Sequence, residues 1–575
     1  MTVTIRPWWK DSVVYQIYPA SYLDTNGDGV GDIPGITSSL DYIQSIGVDV
    51  IWVCPMYDSP QIDMGYDISD YKAVYPPYGT IQDMQKLIAE THRRGMRIIL
   101  DLVVNHTSHQ HQWFQESRSS KDNPKRDWYI WKPAKYDAQG HRKPPNNWRS
   151  NFGGSTWTWD ELTQEYYLHL FCPEQPDLNW DNLETRKAIY EDAMIYWLDM
   201  GVDGFRVDTV NMYSKDPSFP DAPITDPNAE EQDAGLVYCN GPKMKEILSE
   251  MNAILSRYDA FTVGECPNTP DISTVVDYVG ASAKRLNMVF QFEVVDLGQG
   301  KVFKYKSKPF NFQLPELKEA IDMTQSFLTH TDGWTTSFVE NHDQARSVSR
   351  FGDDSPRWRE RSAKMLALLF GSLSGTLFIY QGQEIGMINM PKEWSIDEYK
   401  DVDSINYYRM VDRCSKNDAM ELAEAQASLQ HYARDHARTP MQWSTGFNGG
   451  FTADDTPPWM RVNTSTEYIN VQDQLKRKDS PLAFWRRVLS MRKQYNESFV
   501  HGNFELLDAS NPNVFSFVKR RGNRVAVVVC NCSGSENKLP YFNGLDNSKI
   551  VLGNVDKPAV TTLQPWEGRA YVLSY

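Results

Sequence analysis

The chain has 575 residues, which exceeds one ordinary domain and predicts two to four folded units. Its hydrophobic content of 41% is enough for large cores, and its interspersed charges argue against wholesale disorder. The net charge of −16 argues against nucleic acid as the main partner, because phosphate binding needs a basic surface.

The start of the chain and its cysteines bear on where the protein is found. The chain begins MTVTIRPWWKDSVVYQ, without the basic region and apolar run of a signal peptide. No stretch approaches the roughly 18 apolar residues of a membrane span. The seven cysteines are an odd, scattered set, which indicates reduced thiols. We therefore expect a cytoplasmic protein with no membrane partner.

The first half of the chain repeats one pattern, in which a helical run is followed by a glycine and an apolar strand. Residues 38–46 have helical spacing, Gly47 can end that helix, and VDVIWV follows as a strand. Gly95 and Gly201 likewise separate helical runs from the strands MRIILDLVV and VDGFRVD. Helices that end at glycine and precede near-continuous apolar strands are typical of parallel βα units.

The number of such strands predicts the fold class. VVYQIYP comes before the repeated pattern, and later strand candidates are FTVG, NMVFQF, TTSFV and TLFIY. Eight parallel strands favour a (β/α)₈ TIM barrel, which is an α/β fold, over an open sheet. We predict that residues 1–106 and 175–503 form this barrel.

Three segments depart from the repeat. Residues 107–174 are rich in Trp, Asn, Ser and Gly, and we predict that they form a separate domain inserted after the third strand. Residues 387–459 follow the eighth strand and are predicted to be an irregular subdomain. Residues 504–575 carry NVFSFVKR, NRVAVVVCN and RAYVLSY with SGSEN and NG turns between them. That pattern predicts a small C-terminal antiparallel β-sandwich domain.

Polar residues follow the predicted strands where each one ends. DLVVNH ends in His106, GFRVD in Asp208, TVGE in Glu265, and TSFVENHD in His342 and Asp343. The carboxyl ends of barrel strands build the active site, so we expect these side chains to converge. Each one alone has a structural explanation, such as a helix N-cap for Asp208. Separate structural roles do not readily explain why all of these residues lie at one rim of the barrel.

The carboxylates among these residues suit cleavage of a glycosidic bond. Retaining cleavage needs one carboxylate as nucleophile and one protonated carboxyl as acid and then base. Asp208 suits the nucleophile, because Arg206 shares its face of the strand and can hold it ionised. Glu265 follows an apolar strand, which can raise its pKa as an acid catalyst needs. Asp343 can bind sugar hydroxyls more tightly as oxocarbenium charge develops.

Five segments of the chain resemble the signature regions of the α-amylase superfamily, glycoside hydrolase family 13, and occur in the same order. They are DLVVNH, QPDLNW, GFRVDTV, VGE and FVENHD. The oligo-1,6-glucosidase and maltase (α-glucosidase) branch is similar in QPDLNW, YQIYPASYLDTNGDGVGD, MGYDISDY, YQGQEIGM and ARDHARTPMQW. The match runs from Trp8 to the C-terminal domain. This resemblance implies a barrel with an inserted domain B after strand three and a C-terminal β domain.

The resemblance also implies roles for individual residues. It places the nucleophile at Asp208, the acid/base at Glu265 and the transition-state stabiliser at Asp343. The residues that line the nonreducing glucose subsite are then Asp63, Tyr66, His106, Arg206, His342 and Arg438. Arg434 is a less favoured alternative to Arg438 in this subsite.

The expected activity is exo-acting release of terminal α-linked glucose from short oligosaccharides, with retention and without a catalytic cofactor. Asp63 and Arg438 would close the far end of the pocket, which blocks long chains from threading through. Thr209 follows the nucleophile, and in the resembling branch Thr at this position accompanies acceptance of α-1,4 bonds. The alternative is a transglucosidase or sucrose isomerase on the same scaffold. The expected partners are small oligosaccharides, and no oligomeric state is predicted.

The segment DTNGDGVGD has a metal-binding and a structural interpretation. It begins like an EF-hand loop, but Gly35 stands where that loop needs a bidentate Glu. A polar turn is the structural interpretation. The family resemblance instead implies one structural Ca²⁺. The side chains of Asp24, Asn26, Asp28 and Asp32 would hold it, together with the backbone carbonyl of Val30.

Overall fold

A computed structural model describes residues 6–300, 304–305, 312–453, 456–545 and 548–574. The predicted domains also include residues 1–5, 301–303, 306–311, 454–455, 546–547 and 575, which lie outside the described residues. No helix in the described ranges is long and apolar enough to cross a membrane.

Eight parallel strands form one sheet that curves into a barrel. In chain order they are β1 (Val13–Ile17), β2 (Val50–Val53), β3 (Arg97–Leu102), β4 (Gly204–Val207), β5 (Phe261–Glu265), β6 (Met288–Phe290), β7 (Thr336–Ser337) and β8 (Thr376–Tyr380). The hydrogen-bonded order is β6-β5-β4-β3-β2-β1-β8-β7. The two end strands are connected by the Thr336 hydroxyl, which donates to the carbonyl of Val289 at 3.1 Å. The predicted (β/α)₈ barrel is confirmed.

A helix follows each strand and returns the chain to the start of the next. The helices are Leu40–Ile46, Ile81–Arg93, residues 183–199, Met244–Leu255, Ile272–Val279, Leu314–Ser326, Arg359–Gly371 and Pro481–Gln494. Residues 183–199 form three consecutive helical segments. Gly47 ends the first of them with a φ of +105°, and Gly201 precedes β4 with a φ of +106°. Only glycine adopts such backbone angles without strain, which explains why the glycine signals predicted these boundaries.

The segment between β3 and its helix folds around a small sheet. Helix Gln112–Ser119 is followed by strands Trp131–Lys132, Trp157–Asp160 and Glu165–Leu168, which pair in an antiparallel three-stranded sheet. Trp157 of this sheet is buried in one core with Trp148 and with Met212 and Tyr238 from the segment after β4. This segment therefore shares its core with a barrel loop that reaches the carboxyl ends of the strands.

The segment after β8 differs from its prediction. Residues 387–459 were expected to be irregular, but they contain two helices of 14 residues, Val402–Ser415 and Ala419–Tyr432, followed by Asp435–Arg438. Asp401 and Asp418 cap the two longer helices through side-chain bonds to backbone N–H groups. The polar surface of these helices hides their period, because few of their residues face a core.

The C-terminal strands form one antiparallel sheet. In chain order they are β9 (Asn503–Leu507), β10 (Val514–Arg521), β11 (Arg524–Asn531), β12 (Lys549–Gly553) and β13 (Gly568–Ser574). The sheet order is β9-β10-β11-β13-β12, and a two-stranded ladder of Asn537–Lys538 with Thr562–Leu563 accompanies it. Phe515 and Phe517 of β10 pack into the barrel core, whereas Val518 and Val527 face a second core. The predicted antiparallel β domain is confirmed.

Candidate active site

Three carboxylates lie at the carboxyl ends of the barrel strands, where the sequence predicts them. Asp208 follows β4, Glu265 is the last residue of β5, and Asp343 lies beyond β7. The buried guanidinium of Arg206 connects two of them. Its Nη1 donates to Oδ1 of Asp208 at 2.7 Å, and its Nη2 lies 2.8 Å from Oε2 of Glu265. The two carboxyl groups therefore share one counter-ion, which fixes their relative position.

A further carboxylate, that of Asp101 on β3, binds the same nitrogen of Arg206 as Asp208 does. Its Oδ1 accepts from Nη1 of Arg206 at 2.5 Å, and its Oδ2 accepts from the indole N–H of Trp52 at 2.7 Å. Burial raises the pKa of Asp101 to about 6, against the opposing effect of Arg206. Asp101 is not among the strand-end carboxylates predicted from the sequence, although a charged residue inside the apolar run MRIILDLVV is itself a signal of a buried partner.

The local environments of Asp208 and Glu265 separate their protonation states. Burial raises the pKa of Asp208 to about 6, while Arg206 acts to lower it. Burial raises the pKa of Glu265 further, to about 7, and the neighbouring carboxylates of Asp208 and Asp343 add to that rise. Between these values the first group is mostly ionised and the second mostly protonated. This is the division that a nucleophile and a general acid require.

The third carboxylate, Asp343, is held by basic side chains. Its Oδ1 accepts from Nη1 of Arg434 at 3.1 Å and from Nη2 of Arg438 at 2.8 Å. Its Oδ2 lies 3.3 Å from Nε2 of His342. Burial alone would raise the pKa of Asp343, but His342 and the arginines lower it well below its usual value. The group is therefore ionised at every pH at which the protein is expected to work.

The predicted histidines and Tyr66 form one wall of the site. The rings of Tyr66 and His342 stack with centroids 5.1 Å apart, and the tyrosine hydroxyl lies 2.5 Å from Nε2 of His342. Gln16 on β1 bonds the other ring nitrogen of His342 at 2.9 Å. His106 lies 3.0 Å from the carbonyl of Tyr66 and 3.2 Å from the amide nitrogen of Gln175. Burial lowers the pKa of both histidines, so both rings are neutral.

Asp63 forms an ion pair with an arginine, but that arginine is not the one expected. Oδ1 of Asp63 accepts from Nη2 of Arg434 at 3.0 Å, and Phe152 of the inserted segment lies under that guanidinium at 5.0 Å. The expected partner, Arg438, instead donates to Asp401, to Asp343 and to the backbone of residue 342. Arg434, the alternative, is therefore the residue paired with Asp63. The two arginines are one helical turn apart, which sequence alone could not separate.

Thr209 lies between the two carboxylates on β4 and β5. Its backbone N–H donates to Oε2 of Glu265 at 3.1 Å, and its hydroxyl donates to Oδ2 of Asp208 at 3.2 Å. Thr209 therefore contacts both carboxylates, one through its backbone and one through its side chain.

Comparison with known proteins identifies the family. The model of the α-amylase catalytic domain matches residues 16–502. The chain belongs to this family. The chain is 52% identical to an α-glucosidase of Candida albicans over 98% of its own length and 99% of that protein. It is 46% identical to an oligo-1,6-glucosidase of Saccharomyces cerevisiae, covering 98% of each chain. Among solved structures, the isomaltulose synthase SmuA from Protaminobacter rubrum is 38% identical with a TM-score of 0.91, covering all of both chains.

As a member of the α-amylase family, the protein is a glycoside hydrolase that acts on oligosaccharides. The full-length similarity to α-glucosidases and oligo-1,6-glucosidases supports the predicted branch as well as the family. The motifs DLVVNH, GFRVDTV, VGE and FVENHD that suggested the family contribute His106, Asp208, Glu265 and Asp343 to the site described above.

The predicted metal loop of this α-amylase family member is organised by hydrogen bonds. Oδ1 of Asp24 accepts from the N–H of Gly27 at 2.7 Å, and Asp32 accepts from the N–H and hydroxyl of Thr25 at 2.7 and 2.8 Å. Within the described residues no group of three or more His, Cys, Asp or Glu side chains is arranged to hold a metal ion. The geometry is that of a polar turn, and calcium binding stays a prediction.

Proposed function

We propose that the protein is a retaining, exo-acting α-glucosidase that releases terminal glucose from short oligosaccharides. The observation that carries the proposal is the shared Arg206 guanidinium, which holds Asp208 and Glu265 together at the base of a pocket closed at its far end. The side chains of Asp63 and Arg434 are 6% and 10% exposed, whereas that of Asp343 is 23% exposed. We infer that substrate enters from the side of Asp343 and that only a chain end fits.

The roles of the carboxylates follow from their protonation. Asp208 is the nucleophile: it attacks the anomeric carbon, and the bond to the leaving oxygen breaks as Glu265 donates its proton to that oxygen. The resulting glucosyl ester on Asp208 is then cleaved by water, whose proton passes to the Glu265 carboxylate. Asp343 stabilises the positive charge of the oxocarbenium-like transition states. Two displacements at one carbon retain the α configuration.

The subsite for the nonreducing glucose is proposed from the same geometry. Asp63, the carbonyl-bonded His106 and the stacked pair Tyr66 and His342 present polar atoms at the closed end of the pocket. The ring nitrogens of both histidines already have protein partners, so a sugar hydroxyl would bind by exchanging with one of those hydrogen bonds. Arg206 orients the nucleophile, and we place Arg434 beside Asp63, with Arg438 behind Asp343.

For linkage, we propose that α-1,4 bonds are accepted. Thr209 follows the nucleophile and contacts both catalytic carboxylates, so it borders the position of the leaving sugar. Its hydroxyl can turn from Asp208 to a sugar hydroxyl or to an ordered water, which the methyl of a valine cannot do. Similarity to both α-glucosidases and oligo-1,6-glucosidases makes the ratio of maltose to isomaltose turnover the informative measurement.

The alternative function is glucosyl transfer or sucrose isomerisation through the same glucosyl ester. The similarity to the isomaltulose synthase SmuA over the full length of both chains fits this alternative, whereas the higher identity to an α-glucosidase supports the main proposal. Incubation with maltose, isomaltose and sucrose separately, followed by product analysis, decides between them. Glucose release as the main event supports the α-glucosidase, whereas isomaltulose or longer transfer products as the main event would support the alternative.

A structural Ca²⁺ at the loop of residues 24–32 is part of the proposal. The donor set of three carboxylates and one amide oxygen is chemically suited to calcium, which prefers hard oxygen ligands. Each carboxylate oxygen of Asp28 accepts one hydrogen bond and keeps a lone pair for a cation. The oxygens of Asp24 and Asp32 each accept two or more hydrogen bonds and would have to exchange some of them for the ion. Asp24, Asn26, Asp28 and Asp32 with the carbonyl of Val30 would hold the ion, whose role is to neutralise mutually repelling carboxylates.

We also propose a cytoplasmic location. All seven cysteines are unpaired, and six of them are buried or half-buried. An unpaired set of this kind suits a reducing compartment. Fluorescence microscopy of the tagged full-length protein tests the location, and a secreted or vacuolar signal would contradict it.

A further inference from the structure

Asp401 is a buried carboxylate that pairs with both arginines of the pocket. Its side chain is fully inaccessible to solvent. Arg434 donates to it through Nε at 3.0 Å and through Nη2 at 2.7 Å, and Arg438 donates through Nη1 at 2.7 Å. Asp401 is itself fixed as the N-cap of helix Val402–Ser415, where it accepts from the N–H of Asp403 at 3.0 Å. The arginines are therefore anchored from behind by a side chain that cannot reach the substrate.

This anchoring determines how the arginines meet Asp343. Each guanidinium reaches Asp343 through one nitrogen, and both nitrogens bond the same oxygen, Oδ1. The other oxygen, Oδ2, has His342 as its neighbour at 3.3 Å and belongs to a side chain that is 23% exposed. An arginine free to turn would form a two-pronged bond with both oxygens, which is its favoured geometry on a carboxylate. Asp401 opposes that geometry, together with Asp63 on Arg434 and the carbonyl of residue 342 on Arg438.

The charge of the cluster leads to the same conclusion. Burial raises the pKa of Asp63 to about 6, and above that pH Asp63, Asp343 and Asp401 contribute three negative charges. Arg434 and Arg438 contribute two positive charges, and His342 is neutral because burial lowers its pKa to about 3. The cluster therefore keeps one net negative charge beside the sugar pocket. Without Asp401 the balance would be zero, and the field that stabilises a developing oxocarbenium ion would be weaker.

We propose that Asp401 is a positioning residue for the reaction: it confines Arg434 and Arg438 to one oxygen of Asp343 and leaves the second oxygen, with one net negative charge, for the substrate. The inference rests on the proposed role of Asp343. Asp401 acts through the arginines and not by contact with the sugar.

The test is the Asp401→Asn variant, which keeps the size of the side chain and removes its charge. For maltose we expect kcat to fall by about 10- to 100-fold, with KM changed less than about threefold, because the loss acts on the transition state. The inhibition constant of protonated 1-deoxynojirimycin, a cationic sugar mimic, should rise at least about tenfold relative to that of neutral glucose. Unchanged kcat and an unchanged ratio of inhibition constants would overturn the proposal.

Ser404→Ala is the matched control. Ser404 is buried on the same helix and donates to Asp435 at 2.7 Å rather than to Asp401 or the arginines. We expect this variant to lower the melting temperature while leaving the ratio of inhibition constants within about twofold of wild type. If Asp401→Asn does not fold, Asp401→Glu retains the charge and should keep that ratio within about threefold. A tenfold loss of the ratio in Asp401→Glu would overturn the proposal.

A double-mutant cycle with Asp343→Asn separates this inference from the proposed function. We expect Asp343→Asn to lose most activity on p-nitrophenyl α-glucoside, and Asp401→Asn to add less than about threefold on top of it. Independent, multiplying losses would show that Asp401 does not act through Asp343. If Asp343→Asn remained fully active, the proposed catalytic role of Asp343 would fail first. If it were inactive while Asp401→Asn behaved as wild type, only this inference would fail.

Discussion

The backbone N–H of Thr209 donates to Oε2 of Glu265 at 3.1 Å. Thr209 makes this bond from a left-handed backbone conformation, with a φ of +37°. A positive φ in a β-branched residue is a genuine outlier, and such strain costs about 1–3 kcal/mol. The Thr209 hydroxyl also donates to Asp208. One residue thus connects both carboxylates, and the surrounding fold keeps it in a conformation that its own side chain disfavours.

Replacing Thr209 with Val tests its role in linkage preference. The two side chains have nearly the same shape and both are β-branched, so the backbone should be kept while the hydroxyl is lost. We expect kcat/KM for maltose to fall more than that for isomaltose, by roughly two- to tenfold, which corresponds to one hydrogen bond of about 0.5–1.5 kcal/mol. Equal losses on both sugars, or a wild-type enzyme that cleaves isomaltose and ignores maltose, would contradict this role.

The pH dependence of kcat/KM should be bell-shaped. Activity requires ionised Asp208, whose pKa is raised to about 6, so we expect activity to fall as the pH drops through that value. It also requires protonated Glu265, whose pKa is raised to about 7, so we expect activity to fall as the pH rises through that value. Initial rates with maltose between about pH 4 and 9 measure both limbs. In Glu265→Gln, residual cleavage of p-nitrophenyl α-glucoside should lack the alkaline limb; a limb that persists there would reassign the acid.

Asp208→Asn should abolish turnover while leaving the fold intact. Removing a nucleophile that acts as one unit with its partners costs roughly 10⁴-fold or more in kcat. The melting temperature should stay within a few degrees of wild type, since Asn retains a carbonyl oxygen for Arg206. Proton NMR of the first wild-type product should show α-glucose. A fully active Asp208→Asn variant would disprove the nucleophile, and β-glucose as the first product would disprove retention.

Chelation should lower the melting temperature if the loop of residues 24–32 holds calcium. Removing the ion leaves three carboxylates close together without a neutralising charge, and a bound ligand stabilises the folded state by mass action. We expect EDTA to lower the melting temperature of wild type by several degrees and added Ca²⁺ to restore it. Asp28→Ala should start with the lower value and no longer respond to either reagent. A wild-type melting temperature unaffected by EDTA would leave the loop as a polar turn.

The sequence predicted the parts of the structure that are specified by neighbouring residues. Gly47 and Gly201 mark helix ends because their backbone angles exclude other residues, and apolar runs mark buried strands. The convergence of Asp208 and Glu265 followed from one rule, that polar ends of barrel strands share a rim. These features need no knowledge of how distant segments meet.

Contacts between distant segments could not be predicted in this way. Asp63 and Arg434 are 371 positions apart, and nothing local distinguishes Arg434 from Arg438 as the partner. Asp401 lies in a segment that was predicted to be irregular. Because no helix was predicted there, nothing indicated that Asp401 would lie next to both arginines. Asp101 was missed for a different reason, because its partner Arg206 was assigned to Asp208 alone.

On the proposed function, the closed end of the pocket would determine the order in which products leave. With Asp63 and Arg434 paired behind the glucose, the same opening would admit the substrate and release both products. The leaving sugar would therefore depart first, and glucose would depart last, after the glucosyl ester has been cleaved. Free glucose should accordingly compete with substrate for the empty enzyme. We expect an alcohol that occupies the vacated position before water arrives to be glucosylated, so that acceptor concentration would divide the flux between hydrolysis and transfer.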